Sequence, residues 1–425
     1  MKKKVDVRDL KIGMYVSELD RPWIDSPFLF QGFEIRGQED LAALTKHCAY
    51  VFIDNELGLD FVPQASGQGA VTRARALDEK DKQLVRDFRR LAEAPVNVHL
   101  AHARPYQDIA TFEEEIVEAR KIESDARDLM LAAEEDIQKG KTINLPLARK
   151  VVEQMVDSAV RNPDALVCLG QLKETSAYAA LHSIRTAVLA LAFGRHLVFG
   201  KEDLITLGLA ALFHDIGMAK VPQEILDKPG KLTLQEFDIM QRHVNQGREL
   251  LQASGSVPKE VIDMTMQHHE RHDGSGYPNK LQGDLISTAG AIGAIIDVYD
   301  AITSDSPYKK AVSAEAALKT MFEWRTKDFH KQLVESFISC MGIFPIGSLV
   351  ELSTGDIGVV VTINRSRRLK PKVALVLNDK HHPYREKVYT DIANDKTISG
   401  QEIKIRKVLP TGTLGINPMD HILQL

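Results

Sequence analysis

The sequence predicts a multidomain α+β protein, in which an all-α core domain lies between a small β-rich N-terminal domain and a small β C-terminal appendage. Three observations support this. Apolar residues recur at steps of three and four from Ile116 to Ile137, the period of a helix face. Residues 142–342 continue with mostly helical patterns. The two ends of the chain instead carry short apolar runs separated by turn formers, which read as strands.

Residues 1–62 form the predicted N-terminal domain. Its apolar runs at 12–16, 28–33 and 50–53 are separated by Gly13, Pro22, Pro27 and Gly32. Residues 63–141 are a linker and a connecting helix. The polar stretch 63–70 (PQASGQGA) is the linker, and a charged segment with His99 and His102 follows it. The helix starts at a capping box, Thr111 as N-cap with Glu114 at the third helical position, and Gly140 is its expected stop. Its apolar stripe suits packing on the neighbouring domain or pairing with a second helix. Residues 142–342 are the helical domain, in which Pro146 sits in the first turn of a helix carrying Val151, Val152, Met155, Val156 and Ala159. Residues 343–425 are the β appendage, with strand-like runs at 358–363 and 372–377.

The chain has 425 residues, enough for two to four domains with cores of their own. Hydrophobic residues make up 44% and charged residues 27%, so a wholly disordered chain is excluded. A net charge of −5 argues against a nucleic-acid polymer as partner. Cys48, Cys168 and Cys340 form no CxxC pair, which argues against a disulfide framework or a cysteine zinc site. No apolar segment follows the N-terminal lysines, and no apolar run reaches the roughly 18 residues of a membrane span. A cytoplasmic location without membrane contact is therefore expected.

Seven of the 14 histidines fall between His182 and His272. His214-Asp215 ends the apolar run 207–213, and an aspartate there is costly to bury unless paired or bound to a cation. His268 and His269 are adjacent, and two protonated imidazoles would repel, whereas a metal favours the neutral ring. Neighbours on an ideal helix diverge by about 100°, so sharing a metal requires a helix end or a distortion. His243 lies in a helical pattern, where a core or surface histidine is the plain alternative; His182 is unremarkable alone. Asp297 and Asp300 share a helical side, so one is expected to face a metal and the other to be capped or salt-bridged. His182, His214, Asp215, His243, His268, His269 and Asp297 together supply five imidazoles and two carboxylates, enough for two metals if one carboxylate bridges. Such N/O donors suit iron, manganese, nickel, cobalt or zinc. Paired cations can activate a water for phosphodiester cleavage.

The run 268–278 (HHERHDGSGYP), with HDIG at 214–217, ILDKPGKLT at 225–233 and DVYDAITS at 297–304, resembles an HD-GYP domain. The resemblance covers about 142–342. Residues 10–35 are similar to a small domain of unknown function often fused ahead of it. The resemblance implies an HD-type helical core and a bacterial signalling hydrolase that cuts cyclic-di-GMP to pGpG, with GMP as an open further product and with His214 and Asp215 catalytic. It also implies two divalent metal ions, iron or manganese. His182, His214, Asp215 and Asp297 would hold one, and Asp215, His243, His268 and His269 the other. Tyr178 stands where some members have a glutamate for a third metal. Met218 and Ser306 stand where the family has a lysine and an arginine that meet substrate phosphates. Lys220, Lys309 and Lys310 lie near these positions, and Lys309 matches a phosphate-contacting lysine. Tyr277 would pack on a guanine or ribose, or pin the 274–278 loop, and that loop is also a contact for signalling protein partners. Homodimerisation fits the connecting helix. His196 and His272 receive no ligand role. Because of Met218 and Ser306, a weakly active or inactive cyclic-di-GMP sensor is the competing expectation.

Overall fold

The computed structural model describes residues 2–20, 33–35, 37–54, 59, 105–170, 178–228, 230–304, 311–365, 367, 369–397, 399–410, 412–416, 418 and 421. The expected linker at 63–70, the segment with His99 and His102, the run 28–32, and Ser306, Lys309 and Lys310 lie outside these residues. Two compact units result. One comprises Met1–Glu93, Leu349–Gly358 and Lys372–Pro410, and the other Ala94–Ser348, Val359–Pro371 and Thr411–Leu425.

In the first unit, β1 (Lys2–Asp6), β2 (Tyr15–Leu19), β3 (Phe33–Glu34) and β4 (Tyr50–Asp54) form a sheet of order β1-β4-β2-β3. Its pairings are antiparallel, with Lys2 opposite Asp54 and Val16 opposite Ile53. In β4, Val51 and Ile53 are buried while their neighbours are half-buried, the two-residue period of a one-faced sheet. Val5, Met14, Val16, Leu44, Val51 and Ile53 lie in one core. Leu44 comes from α1 (Gln38–His47), a helix the turn-former reading of residues 1–62 did not anticipate.

The C-terminal strands are β5 (Leu349–Leu352), β6 (Ile357–Thr362), β7 (Lys372–Leu377), β8 (Pro383–Asp391) and β9 (Ile405–Leu409). They form one sheet of order β8-β7-β6-β5-β9. The middle strand β6 is buried over its first five residues, which explains why GVVVTI is almost continuously apolar.

The second unit is helical. α2 (Phe112–Gln138) starts at the expected capping box: Thr111 Oγ1 accepts from the Glu114 amide at 3.2 Å, and Glu114 Oε2 accepts from the Thr111 amide at 2.8 Å. It ends before Gly140, whose φ of +75° takes the chain out of the helix. Ile116, Ala119, Ile122, Ala126, Leu129, Ala133 and Ile137 are all buried, and they pack on α3 (Leu145–Arg161), α4 (Pro163–Gly170) and α5 (Tyr178–His196). Glu115 is buried on the same face, bound by Arg161 at 2.7 Å and Ser158 at 2.6 Å. α6 (Lys201–Phe213) is buried on nearly every side from Leu204 onward and packs on α5. α7 (Gln223–Leu226), α8 (Leu234–Gln241), α9 (His243–Ala253), α10 (Lys259–Gln267) and α11 (Thr288–Thr303) follow, then α12 (Ala314–Trp324) and α13 (Lys331–Met341). Among the described residues, no helix is long and apolar enough to cross a membrane.

Candidate metal centre

Four helix ends and two helix faces converge inside the helical unit. His214 caps the C-terminus of α6, and Asp215 begins the 3-10 turn Ile216–Lys220. That turn lies flush against α9: a Cβ on Gly217 would stand 1.9 Å from the His243 carbonyl oxygen. Only glycine permits this approach, which sets Asp215 beside His243. His243 is not mid-helix, as its pattern suggested, but opens α9 after a break at Arg242. His268 caps the C-terminus of α10, where the chain leaves the helix before His269. His182 lies on α5, and Asp297 and Asp300 on α11.

Each ring but one is anchored through Nδ1. His214 Nδ1 donates to the Ala211 carbonyl at 2.8 Å, His243 Nδ1 to Met240 at 2.7 Å, and His268 Nδ1 to Met264 and Thr265 at 3.1 Å. A carbonyl only accepts, so the proton sits on Nδ1 and each Nε2 presents a bare lone pair. His182 Nδ1 lies 2.6 Å from Asp300 Oδ2, and Arg185 binds both oxygens of Asp300 at 2.7 and 2.9 Å. Asp300 is thus the salt-bridged carboxylate of its pair, while Asp297 faces the cluster.

The Nε2 atoms meet around Asp215. Its Oδ1 is 3.2 Å from His243 Nε2 and 3.1 Å from His268 Nε2, and its Oδ2 is 3.7 Å from both His182 Nε2 and His214 Nε2. Asp297 Oδ1 is 3.3 Å from His182 Nε2 and 4.0 Å from His214 Nε2, and its Oδ2 is 3.8 Å from His269 Nδ1. Donor atoms of Asp215, His243, His268 and His269 lie within 4.8 Å of one another, as do those of His182, His214 and Asp215. The structure therefore gathers all seven residues that the sequence singles out as ligands.

A divalent cation fits this arrangement on its donors alone. His214 Nε2 is buried with no hydrogen-bond partner among the described residues, and His243 Nε2 and His268 Nε2 face each other at 3.5 Å. Two bare lone pairs at that distance repel unless a proton or a cation lies between them. Burial opposes ionisation of Asp215, but His214, His243 and His268 outweigh it and hold the carboxyl well below its ordinary range. Burial likewise opposes ionisation of Asp297, and His182 and His269 reverse it. Burial pushes His214 down to about 4 and keeps it a neutral donor. For His182, burial is overcome by the hydrogen bonds of Asp297 and Asp300, which raise it to about 10. Perturbed groups gathered in one buried cluster mark a functional site, and the ring nitrogens converging on Asp215 supply the donors for a cation that displaces their protons.

The cluster opens through His269 into a cleft of about 640 Å³. Arg242, Arg271 and Lys280 line it, with Phe237, Asn245 and Tyr277. The Tyr277 ring sits 4.6 Å from the His269 ring and 6.0 Å, edge to face, from Phe237. Glu270, fully buried, accepts from the amides of Asn279 at 2.7 Å and Leu281 at 3.0 Å, which ties the 271–281 loop to the ligand pair. Lys220 donates to the Ile137 carbonyl at 3.3 Å, at the end of α2. Neither Arg185, Glu270 nor the three cleft cations had been picked out from the sequence. For Arg185, the available signal was an arginine three residues after His182, on the same helix.

A family model described as HD domain matches residues 150–332. A model for a domain of unknown function matches 2–148, and one for a KOW domain associated with HD domain matches 349–399. The chain is 36% identical over 375 residues to the cyclic di-GMP phosphodiesterase PA4108 of Pseudomonas aeruginosa, covering 88% of this chain and 84% of that one. It is 38% identical over 143 residues to the cyclic di-GMP phosphodiesterase response regulator RpfG of Xanthomonas campestris pv. campestris, covering 33% and 38%. It is also 38% identical over 164 residues to the 3'3'-cGAMP-specific phosphodiesterase 2 of Vibrio cholerae, covering 38% and 31%. With a relative of this identity along most of both chains, the protein belongs to the HD-GYP family of HD-domain proteins.

Proposed function

We propose that the protein hydrolyses the phosphodiester bonds of cyclic-di-GMP to pGpG, with GMP as an open further product, at a site holding two divalent metal ions, iron or manganese. The observation that carries this reading is the split of Asp215, whose two oxygens face two different sets of imidazoles. A carboxylate so placed would serve both ions, with His182, His214 and Asp297 completing one half and His243, His268 and His269 the other. Metal ions bound there would lower the pKa of a water and offset charge on the nonbridging phosphate oxygens.

The protein's own residues do the rest. Asp215 and Asp297 fix the spacing of the two halves. Arg242, Arg271 and Lys280 offer three positive charges at the cleft against one negative charge from Asp238, suited to a ligand with two phosphates. Phe237 and Tyr277 give a purine an aromatic wall. Lys309 is a further phosphate contact in this reading, and Lys220 would join it by releasing the Ile137 carbonyl. Overall, water adds its oxygen to phosphorus, the bond from phosphorus to the ribose 3' oxygen breaks, and that oxygen takes a proton.

The test is chromatography of products after incubating cyclic-di-GMP with manganese- or iron-loaded protein under reducing conditions, with 3',3'-cGAMP alongside. Appearance of pGpG is expected. Faster cleavage of 3',3'-cGAMP would reassign the substrate. Met218, in place of a phosphate-binding lysine, favours a second reading as a cyclic-di-GMP sensor; saturable binding without product over hours would establish it and overturn the first. In that case Met218→Lys with Ser306→Arg should restore turnover.

A further inference from the structure

The two halves of the cluster differ in what stands behind their ligands. Behind His182 is a buried charge pair: Asp300 Oδ2 lies 2.6 Å from Nδ1, and Arg185, 6% exposed, holds Asp300 through Nε at 2.7 Å and Nη2 at 2.9 Å. Among the described residues, His243 and His268 have main-chain carbonyls behind them, those of Met240, Met264 and Thr265, as His214 has that of Ala211, so His182 alone is backed by charge. The carboxylates themselves are shared evenly: Asp215 Oδ2 and Asp297 Oδ1 face His182 and His214, while Asp215 Oδ1 faces His243 and His268 and Asp297 Oδ2 lies 3.8 Å from His269 Nδ1, so the charge behind His182 is what sets the inner half apart. The halves differ in access as well. The side chains of His182, His214, His243 and His268 are 8%, 2%, 2% and 0% exposed, while the outer ligand His269 is 21% exposed and lines the cleft.

These differences point the same way. A carboxylate hydrogen-bonded to the far nitrogen of an imidazole fixes the ring and raises its basicity as a ligand, and a carbonyl does so less. A ligand open to solvent gives an ion a way out.

We propose that Arg185 and Asp300 are positioning residues for His182 that make the inner subsite the tighter of the two. Metal then loads the inner subsite first, and the outer ion exchanges through the cleft. This rests on the two-metal reading of the same site. It makes occupancy of the outer subsite follow the concentration of free divalent metal, while the inner ion stays with the fold.

Titration of metal-free protein with Mn²⁺ by calorimetry tests the order, with metal per chain counted by mass spectrometry after gel filtration. Two steps are expected, the first at least about tenfold tighter, with about one ion retained after brief chelation. Asp300→Asn should weaken the first step by about 10–100-fold, the usual effect of removing such a support, and leave the second within a few-fold. Arg185→Lys, which keeps the charge but loses the two-point grip, should weaken it less. His269→Ala should abolish the second step and spare the first. If Asp300→Asn does not fold, the other two variants carry the test. Two equal steps in the unaltered protein, equal weakening of both steps by either substitution behind His182, or loss of the first step in His269→Ala would each overturn the proposal. None of these readouts uses turnover. Ordered loading without cleavage of any cyclic dinucleotide would sink the phosphodiesterase reading alone, and turnover with two equal steps would sink only the order.

Discussion

The histidine cluster and the cleft beside it share His269, yet they are built on opposite terms. In the cluster, burial is nearly complete and four of the five rings are anchored through their second nitrogen. In the cleft, Arg242 is 64% exposed and, among the described residues, pairs loosely with Asp238 at 3.5 Å, and Phe237 is 44% exposed. A charge that must grip a cation has to be desolvated and oriented in advance. A charge that must grip a mobile, hydrated phosphate has to remain available. If this contrast is real, substitutions in the cluster should remove metal and turnover together, and substitutions in the cleft should weaken substrate binding with metal intact.

The largest effect is expected from Asp215→Ala. It deletes the carboxylate whose two oxygens lie 3.1–3.7 Å from four imidazoles of both sets, so metal content should fall toward zero. Turnover should drop by at least about 10³-fold, the scale seen when cooperating groups lose a member. A purified variant that cleaves at the unaltered rate would disprove the site assignment. Next comes Gly217→Ala. The added methyl group would collide with the His243 carbonyl at 1.9 Å, so the 3-10 turn and α9 must separate. A stability loss of about 1–3 kcal/mol is expected from such overpacking, with loss of the outer metal. Thermal unfolding and metal analysis read both, and an unchanged Tm would show that this contact does not set the spacing.

Much of the cluster was legible in the sequence because metal chemistry selects residue types that are rare inside proteins. Adjacent histidines diverge on a helix, so His268-His269 already required a helix end, and His268 is the C-cap of α10. The capping box at Thr111 and the stripe down to Ile137 fixed α2 for the same reason: short-range chemistry leaves a short-range pattern. The support of His182 was not legible. Asp300 is 118 residues away, and no local period pairs it with Arg185. The break before His243 was missed because both flanking segments keep helical spacing. α1 escaped because the turn formers ahead of it, from Gly13 to Gly32, drew the reading toward strands. Arg242, Arg271 and Lys280 look like any solvated surface charge until the fold places them around one cleft.

A smaller effect is expected from Arg242→Ala. The guanidinium holds little in the free protein, so stability and metal per chain should not change. The Michaelis constant for cyclic-di-GMP should rise about tenfold, the low end for one charge-assisted contact. Loss of metal in this variant would erase the distinction between cluster and cleft. A rise in KM at constant kcat would sharpen it, because uniform binding has then been removed.

The smallest effect concerns acid and the wall of the cleft. α8, which carries Phe237, starts at a capping box in which Glu236 accepts from the Thr233 amide at 2.7 Å. The Lys228 ammonium first, and then the Thr233 amide and hydroxyl, hold the Glu236 carboxyl down at about 2, from an ordinary value of 4.5. A depressed carboxyl stabilises the fold above its ordinary value, and that contribution is lost as the pH falls through 4.5 toward 2. The first turn of α8 should therefore fray on acidification across this window, and the Thr233–Phe237 amides should exchange faster than those in the middle of α9. Glu236→Gln should be frayed already at neutral pH and should lack the acid response. Hydrogen exchange at several pH values separates the cases. If the unaltered protein shows no change in these amides between pH 5 and pH 3, the cap does not hold the cleft wall, and Phe237 must be positioned by its edge-to-face contact with Tyr277 instead.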